Sequence, residues 1–132
     1  MTRGGCFDID IARVEKFAAA SGHQVMSSEQ DVIASCDIIY ICTWTSEHQR
    51  LVDMCIAAGK PFFCEKPLSI GFSQALQMTT TAARSSLTHQ CGLILRRSPA
   101  YLWARELITD AKAGAPMAVV FRDDQFIPIQ RH

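Results

Sequence analysis

The sequence predicts an α/β fold with a mainly parallel sheet, on three observations. Short apolar, β-branched runs recur along the chain, each is followed by an amphipathic stretch with helix stop and start signals, and the two kinds of segment alternate at the spacing of βαβ units. The first helix is read in "DIARVEKFAAASG", where Ile11, Val14, Phe17 and Ala18 recur at helical spacing. Asp10 is placed to cap its start and Gly22 to end it. A brief strand is expected at Gln24 to Met26, then a small helix begun by Ser28 with Asp31 three residues on.

"CDIIYICT", Cys36 to Thr43, is almost continuously apolar, which predicts a strand covered on both faces rather than an exposed edge. "TSEHQRLVDMCIAAGK" predicts the next helix. Ser46 is expected as its cap, Gln49 at the capping-box position, Leu51, Val52, Cys55 and Ile56 on one face, and Gly59 as the stop. "PFFCEKP" reads as a strand. "SIGFSQALQMTTTAARSS" reads as a helix starting near Ser69 or Ser73, with Phe72, Leu76, Thr79 and Ala83 inward. "HQCGLILRR" then predicts a strand, and "SPAYLWARELITDAKAG" a helix with Pro99 in its first turn and Gly114 at its end. The final "PMAVVFRDDQFIPIQ" is strand-like, with Pro128 favouring an edge or an ending.

The 132 residues suffice for a domain with a sizeable core, and 48% hydrophobic with 20% charged residues is a globular composition. Thirteen basic and thirteen acidic side chains leave no formal net charge, so no basic field is present to gather nucleic acid or an anionic membrane. The N-terminus lacks the layout of a signal peptide, and no apolar run reaches the roughly eighteen residues of a membrane span. The expected location is cytoplasmic. Six cysteines occur without a CxxC spacing, most of them inside apolar runs, and are read as reduced, small hydrophobic residues rather than as a metal site.

In a parallel α/β sheet, function gathers at the carboxyl ends of the strands. Asp8 follows "GGCF", and an acid so placed can either bind ribose hydroxyls or simply cap a loop. "TWTSEH", Thr43 to His48, joins a buried strand to a helix start that offers N–H groups and a positive dipole end. Trp44 suits an apolar wall beside a flat ring. The plainer alternative is a capping Ser46 and an exposed His48. Lys66 stands out most. Strand alternation sends Cys64 and Lys66 to one side and Glu65 to the other, and Pro67 restricts Lys66 to extended geometry. A lysine there can donate a proton or polarise a substrate oxygen; a solvated surface lysine is the plainer alternative.

Taken together, "DIIYICTWTSEH", "AAGKPFFCEKPLS" and "GLILRRSPAY" leading to "RDDQFIP" resemble the Gfo/Idh/MocA family of oxidoreductases. The resemblance implies an NAD- or NADP-dependent dehydrogenase acting on a sugar, polyol or related hydroxy compound, with a Rossmann domain followed by a second α/β domain. It implies that Lys66 is the catalytic lysine, that Glu65 and Pro67 shape its turn, and that Asp8 binds the ribose. Thr43, Trp44 and His48 would line the cofactor, and Arg96 would lie at the cofactor or substrate edge. No metal is implied. Residues 1–97 would then be an incomplete NAD(P)-binding Rossmann domain, and 98–132 the beginning of the substrate and oligomerisation domain.

The chain departs from the family pattern at Trp44, where proline is usual, and it contains no GxGxxG. It also lacks the Asp and His that normally complete proton transfer on the second domain. The expectation is an internal piece of a longer enzyme. Two strand edges, after which Asp8 and Thr43 lie, would be left unpaired or forced to pair with each other, with weak cofactor binding and self-association as consequences. The alternative function is a non-catalytic ligand-binding or regulatory module of the same fold.

Overall fold

A computed structural model describes residues 4–110, 114–116, 118 and 120. One compact unit ends at Leu93 and another begins at Ile94.

The first unit opens with β1 (Gly5–Cys6) and α1 (Ile11–Ser21). Asp10 caps α1, its Oδ1 accepting the Arg13 N–H at 3.2 Å, and Gly22 ends the helix in the left-handed conformation at φ 71°. After β2 (Gln24–Val25) comes α2 (Glu29–Ser35), capped by Ser28, whose hydroxyl accepts the Asp31 N–H at 3.1 Å. The main supersecondary series then runs β3 (Ile39–Ile41), a 3-10 turn (Thr45–Glu47), α3 (His48–Ala57), β4 (Phe62–Cys64), α4 (Phe72–Arg84) and β5 (His89–Cys91). Gly59 lies just past α3 at φ 66°.

Among the described residues every strand pair is parallel. β1 pairs with β2, while β3, β4 and β5 form a sheet in that order, with Ile41 opposite Cys64 and Cys64 opposite Cys91. Of the two arrangements expected at the strand edges, the first is found: among the described residues β1 and β3 do not pair with each other.

The core lies on one face of the three-stranded sheet. Ile39, Ile41, Phe62 and Cys64 pack with Leu51, Val52 and Cys55 of α3 and Met78 and Ala82 of α4, joined by Ile33 of α2. Tyr40 and Phe63, which alternate with those residues, occupy the other face with ring centroids 5.3 Å apart, and Tyr40 is 70% exposed. The expectation that Cys36 to Thr43 is covered on both faces is therefore corrected. β3 is an edge strand among the described residues, and the helices supplied here cover one side of it.

Four local expectations also change. Ser46 sits inside the 3-10 turn, and α3 begins at His48 without a side-chain cap. Likewise, α4 begins after Gly71 without one, while the Ser69 hydroxyl donates to the Gly71 carbonyl at 2.6 Å. On α4 the buried residues are Met78 and Ala82, whereas Phe72, Leu76, Thr79 and Ala83 are exposed. Two apolar stripes offset by one residue share that helix, and packing buries the one that carries Met78 and Ala82. In α1, only Val14 of the expected stripe is fully buried.

The second unit, by itself, contains a 3-10 turn (Ile94–Arg97) and α5 (Pro99–Thr109), with Pro99 in its first turn. The strand expected over "HQCGLILRR" stops at Cys91. The strand expected near the end of the chain lies outside the described residues.

Met78 is 2% exposed and bridges α4 to the sheet. Met78→Ala is expected to lower unfolding free energy by about 2–5 kcal/mol, measured by urea titration, whereas Leu76→Ala on the exposed face is expected to change it far less.

Candidate functional site

Parallel pairing in register brings the carboxyl ends of β3, β4 and β5 to one edge of the sheet. Thr43 follows β3, Glu65 to Pro67 follow β4, and Gly92 follows β5. Asp8 follows β1 in the separate two-stranded sheet.

β4 is continued into the loop by the Glu65 N–H, which donates to the Ile41 carbonyl at 3.0 Å. The Glu65 carboxylate folds back on its own turn, its Oε2 accepting the Lys66 N–H at 3.0 Å. Gly92 makes room for that carboxylate. A Cβ at residue 92 would stand 2.7 Å from Glu65 Oε2 and 3.0 Å from the Phe63 ring. Gly92 is thus a site residue that the sequence reading missed, and a glycine directly after the strand "HQC" is the signal that marks it. Its N–H donates to the Cys64 carbonyl at 2.8 Å, holding the two strand ends together.

Lys66 is exposed and makes no ion pair among the described residues. It precedes a cis peptide to Pro67, which is also exposed. Beyond β3, Trp44 is 75% exposed and Thr43 is exposed. The Thr43 hydroxyl donates weakly to the Trp44 carbonyl at 3.4 Å.

His48 is placed differently from its neighbours. Its ring is only 1% exposed, which overturns the reading of an exposed first-turn residue. Nδ1 lies 3.2 Å from the Leu68 carbonyl and Nε2 3.3 Å from the Thr43 carbonyl. The burial was readable in principle, because His48 shares a helical stripe with Leu51, Val52 and Cys55.

Asp8 is engaged within its own loop. Its Oδ1 accepts the Asp10 N–H at 2.9 Å, and its Oδ2 lies 3.7 Å from the Arg13 guanidinium, which also faces Asp10 at 3.7 Å. Arg96 is exposed in the 3-10 turn of the second unit.

Three cysteine thiols, Cys42 after β3, Cys64 at the end of β4 and Cys55 on α3, are raised above the ordinary value. Burial pushes Cys55 up to about 11, and burial with smaller contributions from neighbouring thiols and Glu65 pushes Cys64 up to about 12. Cys42, exposed at the end of β3, is also raised, first by partial burial and then by the Glu65 charge. Among the described residues no cluster of His, Cys, Asp or Glu could hold a metal ion.

An open parallel sheet of this kind belongs to the α/β domains that bind ligands at the carboxyl ends of their strands. Residues 4–93 match the oxidoreductase family with an NAD-binding Rossmann fold, and the chain belongs to that family, Gfo/Idh/MocA. Inositol 2-dehydrogenase of Cereibacter sphaeroides is 33% identical over 101 residues, covering 76% of this chain and 30% of that relative. Inositol 2-dehydrogenase 3 of Saccharopolyspora erythraea is 33% identical over 113 residues, covering 83% and 33%. UDP-N-acetylglucosamine 3-dehydrogenase from Acidithiobacillus ferrooxidans superposes with a TM-score of 0.71 at 27% identity, over 78% of this chain and 33% of that one. Myo-inositol 2-dehydrogenase from Lactobacillus plantarum shares the fold with a TM-score of 0.76 at 22% identity, over 86% and 35%. The chain spans about a third of the length of the relatives it matches. No helix among the described residues is long and apolar enough to cross a membrane.

The thiolate is the reactive form of cysteine, so a raised thiol pKa slows alkylation at any given pH below it. Cys42 is expected to label with iodoacetamide at mildly alkaline pH while Cys55 and Cys64 label only on unfolding. Glu65→Gln removes the charge that opposes the Cys42 thiolate and is expected to speed its labelling. Peptide mass mapping reads each site, and no change at Cys42 would separate it from Glu65.

Proposed function

We propose that this chain forms part of an NAD- or NADP-dependent oxidoreductase that transfers a hydride between a nicotinamide cofactor and a sugar, polyol or related hydroxy compound. The observation that supports the reading most is Lys66. It is an exposed ammonium without an ion-pair partner among the described residues, at the carboxyl end of β4 and inside the span that matches the family. The inositol and amino-sugar dehydrogenases among the relatives favour a small polyhydroxylated substrate.

The residues fit the cofactor at two of its parts. Asp8 is an acceptor suited to ribose hydroxyls, and the exposed Trp44 offers a flat apolar surface with Thr43 beside it. Glu65 and Pro67 shape the turn between them, and Arg96 is the candidate for the cofactor or substrate edge. For the pyrophosphate, no GxGxxG occurs in the 132 residues. When bound, the nicotinamide supplies the hydride acceptor or donor.

The chain's own contribution is to the proton and the oxygen. An ammonium at Lys66 stabilises negative charge developing on a substrate oxygen, and as a neutral amine the same group accepts the hydroxyl proton. Glu65 is held on its own turn and Gly92, so its charge is directed to shaping the loop rather than to pairing with Lys66.

In the protein that contains this chain, myo-inositol and a panel of hexoses are to be offered with NAD or NADP and turnover followed by reduced-nicotinamide absorbance. Lys66→Ala is expected to lower kcat by about 10²–10⁴-fold, the usual weight of a positioned acid–base group. Turnover unchanged by Lys66→Ala would remove the role assigned to the lysine, and no turnover with any pairing would favour a ligand-binding or regulatory module.

The 132-residue chain alone is expected to bind NAD or NADP weakly, because a dinucleotide site takes most of its pyrophosphate donors from a glycine-rich turn at a helix start. Calorimetry on a monomeric preparation checks this, and tight, submicromolar binding would contradict it.

A further inference from the structure

The ring of His48 is the one buried polar side chain among the described residues, and both of its nitrogens face backbone carbonyls. A carbonyl oxygen only accepts, so each contact needs an N–H on the ring. A neutral imidazole donates to one of them and an imidazolium to both. The two carbonyls belong to different strand-end loops. Thr43, five residues before His48, lies in the loop after β3; Leu68, twenty residues after His48, lies two residues beyond Lys66. The Thr43 contact closes a local turn, whereas the Leu68 contact ties the loop after β4 to the first turn of α3. Leu68 itself packs against the core, so the loop is pinned at its carbonyl and at its side chain.

The geometry points to His48 as a positioning residue: the Nδ1–H to Leu68 carbonyl bond fixes the end of the Lys66–Pro67–Leu68 turn and so sets where the Lys66 ammonium stands. At its other end the turn is held by the Glu65 N–H on the Ile41 carbonyl and by Glu65 Oε2 on the Lys66 N–H. Lys66 thus lies between two anchors, one of which is the buried imidazole. Without the His48 anchor the chain after Lys66 is free to move, and a displacement of about 1 Å at a reacting group can cost about 10²-fold in rate. A ring so buried acts on chemistry through the loop and not by contact with substrate.

The proposal rests on Lys66 being the working lysine, and the test separates the two. Asparagine places an amide N–H near the position of Nδ1, glutamine places one near Nε2, and leucine places none. Hydrogen exchange on the 132-residue chain, which needs no activity, is expected to show faster exchange at the Lys66 amide, held in the wild type by Glu65 Oε2, in His48→Leu and His48→Gln and near-normal exchange in His48→Asn, with α4 unchanged in all three. In the protein that contains this chain, His48→Leu and His48→Gln are expected to lower kcat about 10–100-fold with the KM for the cofactor little changed, and His48→Asn to recover most of the loss. Equal exchange of the Lys66 amide in wild type and His48→Leu, or no recovery with asparagine beyond that with glutamine, would overturn the proposal. Failure of the Lys66 assignment shows separately, as loop protection that follows the expected order while kcat is indifferent to Lys66→Ala.

Discussion

The parallel register of β3, β4 and β5 is the constraint on which the rest depends. Parallel neighbours need a crossover, and here α3 and α4 provide it. The crossovers return each strand to the same edge, so the loops after Ile41, Cys64 and Cys91 emerge side by side. Residues distant in sequence meet there for that reason alone. Glu65 reaches the Gly92 backbone, and His48 reaches Leu68, because the strands that deliver them end at one level.

The same crossovers determine the uneven burial. With α3 and α4 on one side, alternate residues of β3 and β4 divide between a packed face and a face displaying Tyr40 and Phe63. β3 also has no strand on the side away from β4 among the described residues. An apolar face and an unpaired edge on the same strand are costly in isolation, since both favour further association.

Much of this was legible in the sequence, and what was not has definite causes. Asp10, Ser28 and Gly22 act where local chemistry alone decides, and the caps formed as the spacing indicated. α3 starts later than Ser46 because a 3-10 turn intervenes, closed by the Glu47 N–H on the Trp44 carbonyl and the His48 N–H on the Thr45 carbonyl. On α4, Phe72 and Leu76 compete with Met78 and Ala82 for the inner position, and periodicity cannot choose between stripes one residue apart. The apolar run of β3 marked a strand correctly but could not show how many layers cover it. At the site, Lys66 and Glu65 were marked by strand alternation and Pro67. His48 was read by residue type, as an exposed or ligand-facing imidazole, although its place on the Leu51–Val52–Cys55 stripe indicated burial.

A division of labour at the strand ends follows from these positions. A lysine that is to act on a substrate oxygen must keep its ammonium free, so nearby charge has to be occupied elsewhere. Glu65, the adjacent carboxylate, is held by a backbone N–H and seated against Gly92, where a larger residue would collide with it. A lysine carries its ammonium on a flexible four-carbon stem, so a fixed backbone narrows where that ammonium can reach. That backbone is gripped on one side by the β4 ladder and on the other by a buried imidazole. Exposed chemistry and buried support thus lie within three residues of each other. His48, for all its chemical versatility, is buried between two backbone carbonyls, while Lys66 stands exposed in the turn that one of them closes.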